Sequence, residues 1–150
     1  MTEEQRQLLI KDLCGRLPYG VNILHVKDGI IGVLSAINIY VEGREQKLKC
    51  STPFFGEDNE PIEEFKPYLY PLSSMTEEQR IEYKNLLRPS IYKSLEEEED
   101  VGFPTLISAN PSAVEVDYFN KHHLDFRGLI EQGLAIDATG VIMYSEEREP

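Results

Sequence analysis

The sequence predicts an α+β domain, and three observations carry that prediction. A capping box opens the chain ahead of a helical stripe of leucines; an alternating apolar run follows, interrupted by two turn signals; helix signals then return in the second half. With 150 residues, 41% of them hydrophobic, one core hides roughly 70% of the surface an extended chain exposes. A single domain over 1–150 is the expectation.

In Thr2-Glu3-Glu4-Gln5 the threonine hydroxyl can accept an orphan backbone N–H while the glutamine side chain reaches back to the cap. Leu8, Leu9, Leu13 and Leu17 then form an apolar stripe, and Gly15 stands where a C-terminal cap belongs, which ends the helix near Cys14. From Tyr19 the period changes to two. Strands are expected over about 19–27, 30–41 and 46–51, with Asp28-Gly29 and Glu42-Gly43-Arg44-Glu45 as the turns. The result is a small antiparallel sheet covered by helices. Ile30–Val41 is its most strand-like run and belongs at the centre, with Leu48 and Cys50 facing inward on the third strand.

Residues 52–64 carry prolines, acids and no period, as a surface loop does. Phe65–Leu72 alternates, but Pro67 and Pro71 have no N–H for a ladder, which points to a sheet edge or an extended cover. Thr76-Glu77-Glu78-Gln79-Arg80 repeats Thr2-Glu3-Glu4-Gln5-Arg6; the flanking residues do not continue the match, so one capping solution is used twice. Tyr83, Leu86 and Leu87 give this second helix its buried stripe, and Pro89 ends or bends it. Glu96, Glu97, Glu98, Glu99 and Asp100 repel one another and form an acidic, linker-like segment over about 96–101. The C-terminal third reads as helical. Asn110-Pro111 opens one helix, with Val116, Phe119 and His123 on a shared face, and Asp125 caps another that Gly133 closes.

The formal charge is −12, from 27 acidic and 15 basic side chains. Binding to a phosphate backbone draws on clustered lysine and arginine, so no nucleic acid partner is expected; a basic protein is the natural one. No apolar run approaches the ~18 residues of a membrane span, and Met1-Thr2-Glu3-Glu4-Gln5 is acidic where a signal peptide is basic. A cytoplasmic protein is the expectation.

Asp117, His122, His123 and Asp125 bring together the residue types that hold zinc or a similar ion. Adjacent histidines on a helix point about 100° apart, and neither H-E-x-x-H nor a cysteine pair completes the set, so helix-end packing is the preferred reading. A small metal-dependent hydrolase using His122, His123 and Asp125 is the enzymatic alternative. Cys14 with His25 is a weaker nucleophile–base pair, because a buried structural thiol explains the cysteine. No glycine-rich phosphate loop occurs, no cofactor is expected, and no catalytic residue is assigned. The candidate interaction residues are Phe54, Phe55 and Tyr70 for apolar contact, and Glu96, Glu97, Glu98, Glu99 and Asp100 for charge. The function this favours is a non-catalytic protein-interaction module with an acidic surface.

Three stretches, Leu8–Val21 with Cys14-Gly15-Arg16-Leu17-Pro18-Tyr19-Gly20, Lys66–Glu78 with Tyr68-Leu69-Tyr70-Pro71-Leu72, and Phe119–Ala135 with His122-His123-Leu124-Asp125-Phe126-Arg127-Gly128, resemble a family of small uncharacterised proteins encoded by gut bacteria and their phages or prophages. The resemblance implies a phage or mobile-element context and supplies no activity, ligand or catalytic residue. The hairpin over Ile30–Cys50 and the run Glu96–Glu99 depart from the family pattern.

Overall fold

The computed structural model describes residues 1–42, 45–51, 60–86 and 111–141, and their class is α+β. The Thr2 hydroxyl accepts the Gln5 backbone N–H and the Gln5 side chain accepts the Thr2 N–H, closing the capping box of α1 (Glu3–Arg16). α1 runs through Gly15 instead of ending before it. A Cβ added at Gly15 would lie 2.7 Å from Asn120 Nδ2, so the glycine lets a second helix approach and does not cap the first. The left-handed residue that turns the chain is Gly20, at φ 67°, after a 3₁₀ turn over Leu17–Tyr19.

β1 (Asn22–His25) and β2 (Ile30–Val33) form the expected hairpin, with Asn22 opposite Val33 and His25 opposite Ile30; Gly29, at φ 72°, sits in its loop. The apolar run does not continue as one central strand. Val33 and Leu34 are both buried, which breaks the alternation, and the Leu34 N–H bonds the Val21 carbonyl before the chain crosses into β3 (Ala36–Glu42). β3 pairs with β4 (Glu45–Ser51), Ala36 opposite Ser51 and Ile39 opposite Leu48, and β4 carries β5 (Glu60–Pro61), making a separate three-stranded sheet. The expected strand over 30–41 is therefore two strands in two sheets, and β2 is an edge of the first.

The centre of the first sheet is β6 (Phe65–Pro71), the segment whose prolines argued for an edge. It pairs antiparallel with β1 and parallel with β7 (Leu124–Asp125) and β8 (Ile136–Asp137). Val26 donates to the Glu64 carbonyl, so in the alternating ladder Phe65 and Pro67 occupy positions that exchange no bond with β1. The proline nitrogen falls where β1 requires no donor.

The second capping box holds: Thr76 and Gln79 close it at α2 (Glu77–Leu86). α3 (Ala113–Lys121) is capped by Ser112 and Glu115, whose reciprocal bonds make a third box nearer the helix than the expected Asn110 cap. After α3 the described chain is strand and turn, not helix. Asp125 lies in the parallel ladder beside Pro71, and its carboxylate accepts the Leu129 and Ile130 N–H groups, each at 2.9 Å, across a turn in which Gly133 has φ 74°. Among the described residues no helix is long and apolar enough to cross a membrane.

Two cores result. Leu9 and Leu13 of α1 pack with Val21, Ile23, Ile62, Phe65 and Leu69, while Met75, Tyr83, Tyr118, Phe119 and Leu124 join α2 and α3 to β7. Truncating Phe65, fully buried in the first core, to alanine is expected to cost about 3–5 kcal/mol in urea unfolding. Ile81→Ala on the outer face of α2, where the side chain is 49% exposed, should stay within about 0.5 kcal/mol.

Candidate functional site

Positions 9, 12, 13 and 16 share one face of α1, and two of the four are charged. Asp12 and Arg16 are fully buried beside Leu9 and Leu13. At spacing i,i+4 the guanidinium meets the carboxylate with both forks: Nε to Oδ2 at 2.8 Å and Nη2 to Oδ1 at 3.0 Å. Arg127 Nη1 adds a third bond to Asp12 Oδ1, at 2.7 Å. Arg16 also donates to the Leu124 carbonyl at 2.6 Å and to the Phe119 carbonyl at 3.4 Å. Phe119 lies in the last turn of α3, where carbonyls lack helical partners and the helix dipole favours a cation. The Phe126 ring stacks on Phe119 at 5.0 Å and lies 4.1 Å from the Arg127 guanidinium carbon.

Desolvating two such ions costs several kcal/mol each, and the attraction between them offsets that only when the remaining donors and acceptors are also satisfied. Two guanidinium groups on one carboxylate, with two backbone carbonyls taking further donors, meet that condition. This arrangement fixes how α1 crosses α3.

His123 follows α3 with φ 56°, a left-handed backbone uncommon outside glycine, and its N–H bonds the Asn120 carbonyl. The conformation is held from the other side, because the His123 carbonyl accepts the Tyr70 N–H of β6. Burial, followed by the positive charge of Arg16 and by His122, pushes the imidazole down to about 4. The ring is neutral at neutral pH, with Nδ1 buried and unpartnered.

The four candidate metal ligands are not brought together. Burial lowers the His122 pKa against the opposing charge of Glu82, whose Oε2 is 4.0 Å from Nε2. The His123 imidazole feels the charge of Arg16, both oxygens of Asp125 accept backbone N–H groups, and Asp117 accepts the Tyr19 hydroxyl. No group of three or more His, Cys, Asp or Glu side chains placed to hold a metal occurs among the described residues. Cys14 is an exposed thiol whose pKa partial burial pushes up, and the ring nitrogens of His25 face Asp28 and Glu64, so that pair is not assembled either. Tyr70 is half-buried against both the α2–α3 core and the small cluster of Tyr68 and Ala138. Phe54, Phe55 and Glu96, Glu97, Glu98, Glu99 and Asp100 lie outside the described residues.

A further polar network joins α2 to α3. The Tyr83 hydroxyl donates to Glu115 Oε1 at 2.8 Å, and the Tyr118 hydroxyl donates to the Gln79 carbonyl at 3.0 Å and Glu82 Oε2 at 3.1 Å. Burial pushes both phenols upward, and their carboxylate partners add to the shift. Burial alone would raise the Glu115 pKa, but bonds from Ser112 and Tyr83 outweigh it and the net direction is down. Sequence reasoning missed Asp12, Arg16, Arg127 and Glu115. The available signal was Asp12 and Arg16 spaced like Leu9 and Leu13, on the face that the leucines bury.

Compared with protein-family models, curated proteins and solved structures, the chain finds no match.

Asp12→Ala alone is expected to lose about 3–5 kcal/mol, because it leaves the buried Arg16 guanidinium without its carboxylate, and Arg16→Met should lose less, because Asp12 keeps its bond from Arg127. The double variant Asp12→Ala/Arg16→Met should lose clearly less than the sum of the two single losses in a denaturant double-mutant cycle. His123 adds a pH term with a definite sign. The unfolded chain takes up the proton near the ordinary imidazole value of about 6.5, and the folded chain resists it down to about 4. Stability should therefore fall as pH falls through that interval, by on the order of a few kcal/mol, and level off below it. His123→Asn, whose side chain tolerates the left-handed backbone, should flatten that part of the stability–pH curve.

Proposed function

We propose that this chain is a non-catalytic protein-interaction module of a phage or other mobile element, and that its acidic surface engages a basic host or phage protein. The supporting observation is how charge is divided between interior and surface. Arg16 and Arg127 are committed to Asp12, and Arg6 to Glu63 and Glu3. Lys11, Lys27 and Lys121 are exposed basic side chains. Against them stand exposed carboxylates on each of α1, α2 and α3, at Glu3, Glu4, Glu77, Glu78, Glu82 and Asp117, and others on the connecting segments at Asp28, Glu63, Glu131 and Asp137. With a formal charge of −12, such a surface accelerates encounter with a basic partner and disfavours acidic ones. The phage or mobile-element setting rests on the three resembling stretches.

Affinity purification from the native host followed by rate measurements on the recovered partner tests this reading. A basic partner is expected, with an association rate that falls at least about tenfold as salt rises from roughly 0.05 M to 0.3 M. Replacing Glu96, Glu97, Glu98, Glu99 and Asp100 by serine should lower that rate further. An acidic partner, or an association rate insensitive to both changes, contradicts the proposal.

A further inference from the structure

His25 takes no part in the Asp12 network and is too buried, at 2% exposure, to contribute to the charged surface. Each of its ring nitrogens faces a carboxylate: Nδ1 is 2.9 Å from Asp28 Oδ2, and Nε2 is 2.9 Å from Glu64 Oε2. A neutral imidazole has one N–H and can donate to only one of them, leaving a lone pair against the other anion. Both contacts are favourable together only when the ring carries its second proton. Phe65, with its centroid 4.9 Å from that of His25, packs beside the ring.

The two carboxylates belong to different parts of the fold. Asp28 is in the β1–β2 loop, and Glu64 ends the 3₁₀ turn Ile62–Glu64 through which the chain returns from β5 to β6. The chain leaves the first sheet after β2 and re-enters it at β6, so the imidazolium ties the tip of the departing hairpin to the point of return. We propose that His25 is a proton-operated clasp: protonated, it locks the β1–β2 hairpin to the Ile62–Glu64 turn, and on losing its proton it gives up one carboxylate and loosens the junction between the two sheets.

The other charges on the hairpin loop, the Ile62–Glu64 turn and β6 are Lys27, exposed in the loop, Glu63, bonded by Arg6 of α1 at 2.7 Å, and Lys66, and the adjoining β4 and β5 carry Glu45, Lys47, Lys49 and Glu60. Lys66 pairs with Leu24 in β1 and so alternates away from the strand face that Phe65 shares with His25. Burial pulls the His25 pKa down, but the hydrogen bonds and charges of Glu64 and Asp28 outweigh it, and the net direction is up. A folded pKa above the unfolded one means that the clasp contributes fully below the unfolded value and is lost as pH rises through the folded value. His122 and His123 are shifted the opposite way, down from the ordinary imidazole value.

The test follows the three imidazoles by NMR from about pH 5 to about pH 9 in the full chain, in Asp28→Asn and in Glu64→Gln, with Tm read at each pH. One imidazole should titrate above the ordinary value and the other two below it, and either variant should bring the high one down. The Tm of the unaltered chain should fall as pH passes through that titration, and each variant should lose the slope. Asp28 is 48% exposed, so Asp28→Asn keeps the test open if Glu64→Gln does not fold. A His25 that titrates at or below the ordinary value, or a Tm slope that survives Asp28→Asn, overturns the proposal.

Discussion

Asp12 and Arg16 lose all contact with water on folding, and several otherwise unrelated features exist so that they can. The guanidinium needs acceptors beyond one carboxylate, so the C-terminal end of α3 must present the Phe119 carbonyl and β7 must present that of Leu124. Where α3 comes that close, the Asn120 side chain fills the space a Cβ at Gly15 would take. Turning from α3 into β7 within the available length puts His123 at positive φ, and the Tyr70 N–H of β6 holds it there. The left-handed histidine, the parallel pairing of β6 with β7 and the helical glycine are thus linked through the same buried ion pair.

That commitment shapes what the molecule offers a partner. Arg6, Arg16 and Arg127 are used inside or against neighbouring acids, and Lys11, Lys27 and Lys121 are exposed. Several groups capable of acid–base chemistry are engaged as well: Glu115 with Tyr83, Glu82 with Tyr118, His25 with two carboxylates. The proposed recognition by charge draws on this distribution, and the proposed histidine clasp would add a point at which protons act on the same framework.

Local rules made the helix starts legible. Both Thr-x-x-Gln boxes were readable because the bonds they form lie within four residues, and the hairpin through Gly29 for the same reason. The misreadings came where distant segments decide. Gly15 looks like a cap until α3 is placed beside it. Pro67 looks like an edge residue until the phase of the β1–β6 ladder shows that β1 requires no donor there. The break at Leu34 is invisible to periodicity because apolar residues continue through it, and only burial of both Val33 and Leu34 marks the crossing between sheets. The polar half of the α1 stripe was overlooked because charged residues count as exposed by default, whereas Asp12 and Arg16 repeat the spacing of Leu9 and Leu13.

If the buried pair has this role, the proton on Arg16 Nε is shut away from solvent by the same contacts that hold the two helices together. Hydrogen exchange at arginine Nε–H groups, followed by NMR after transfer to D2O, measures that directly. The account predicts that the Arg16 Nε–H outlasts that of Arg6, whose side chain is 16% exposed, and that its protection tracks the slowest core amides around Leu13 and Phe65. Exchange at Arg16 as fast as at Arg6 in the otherwise folded protein would contradict it.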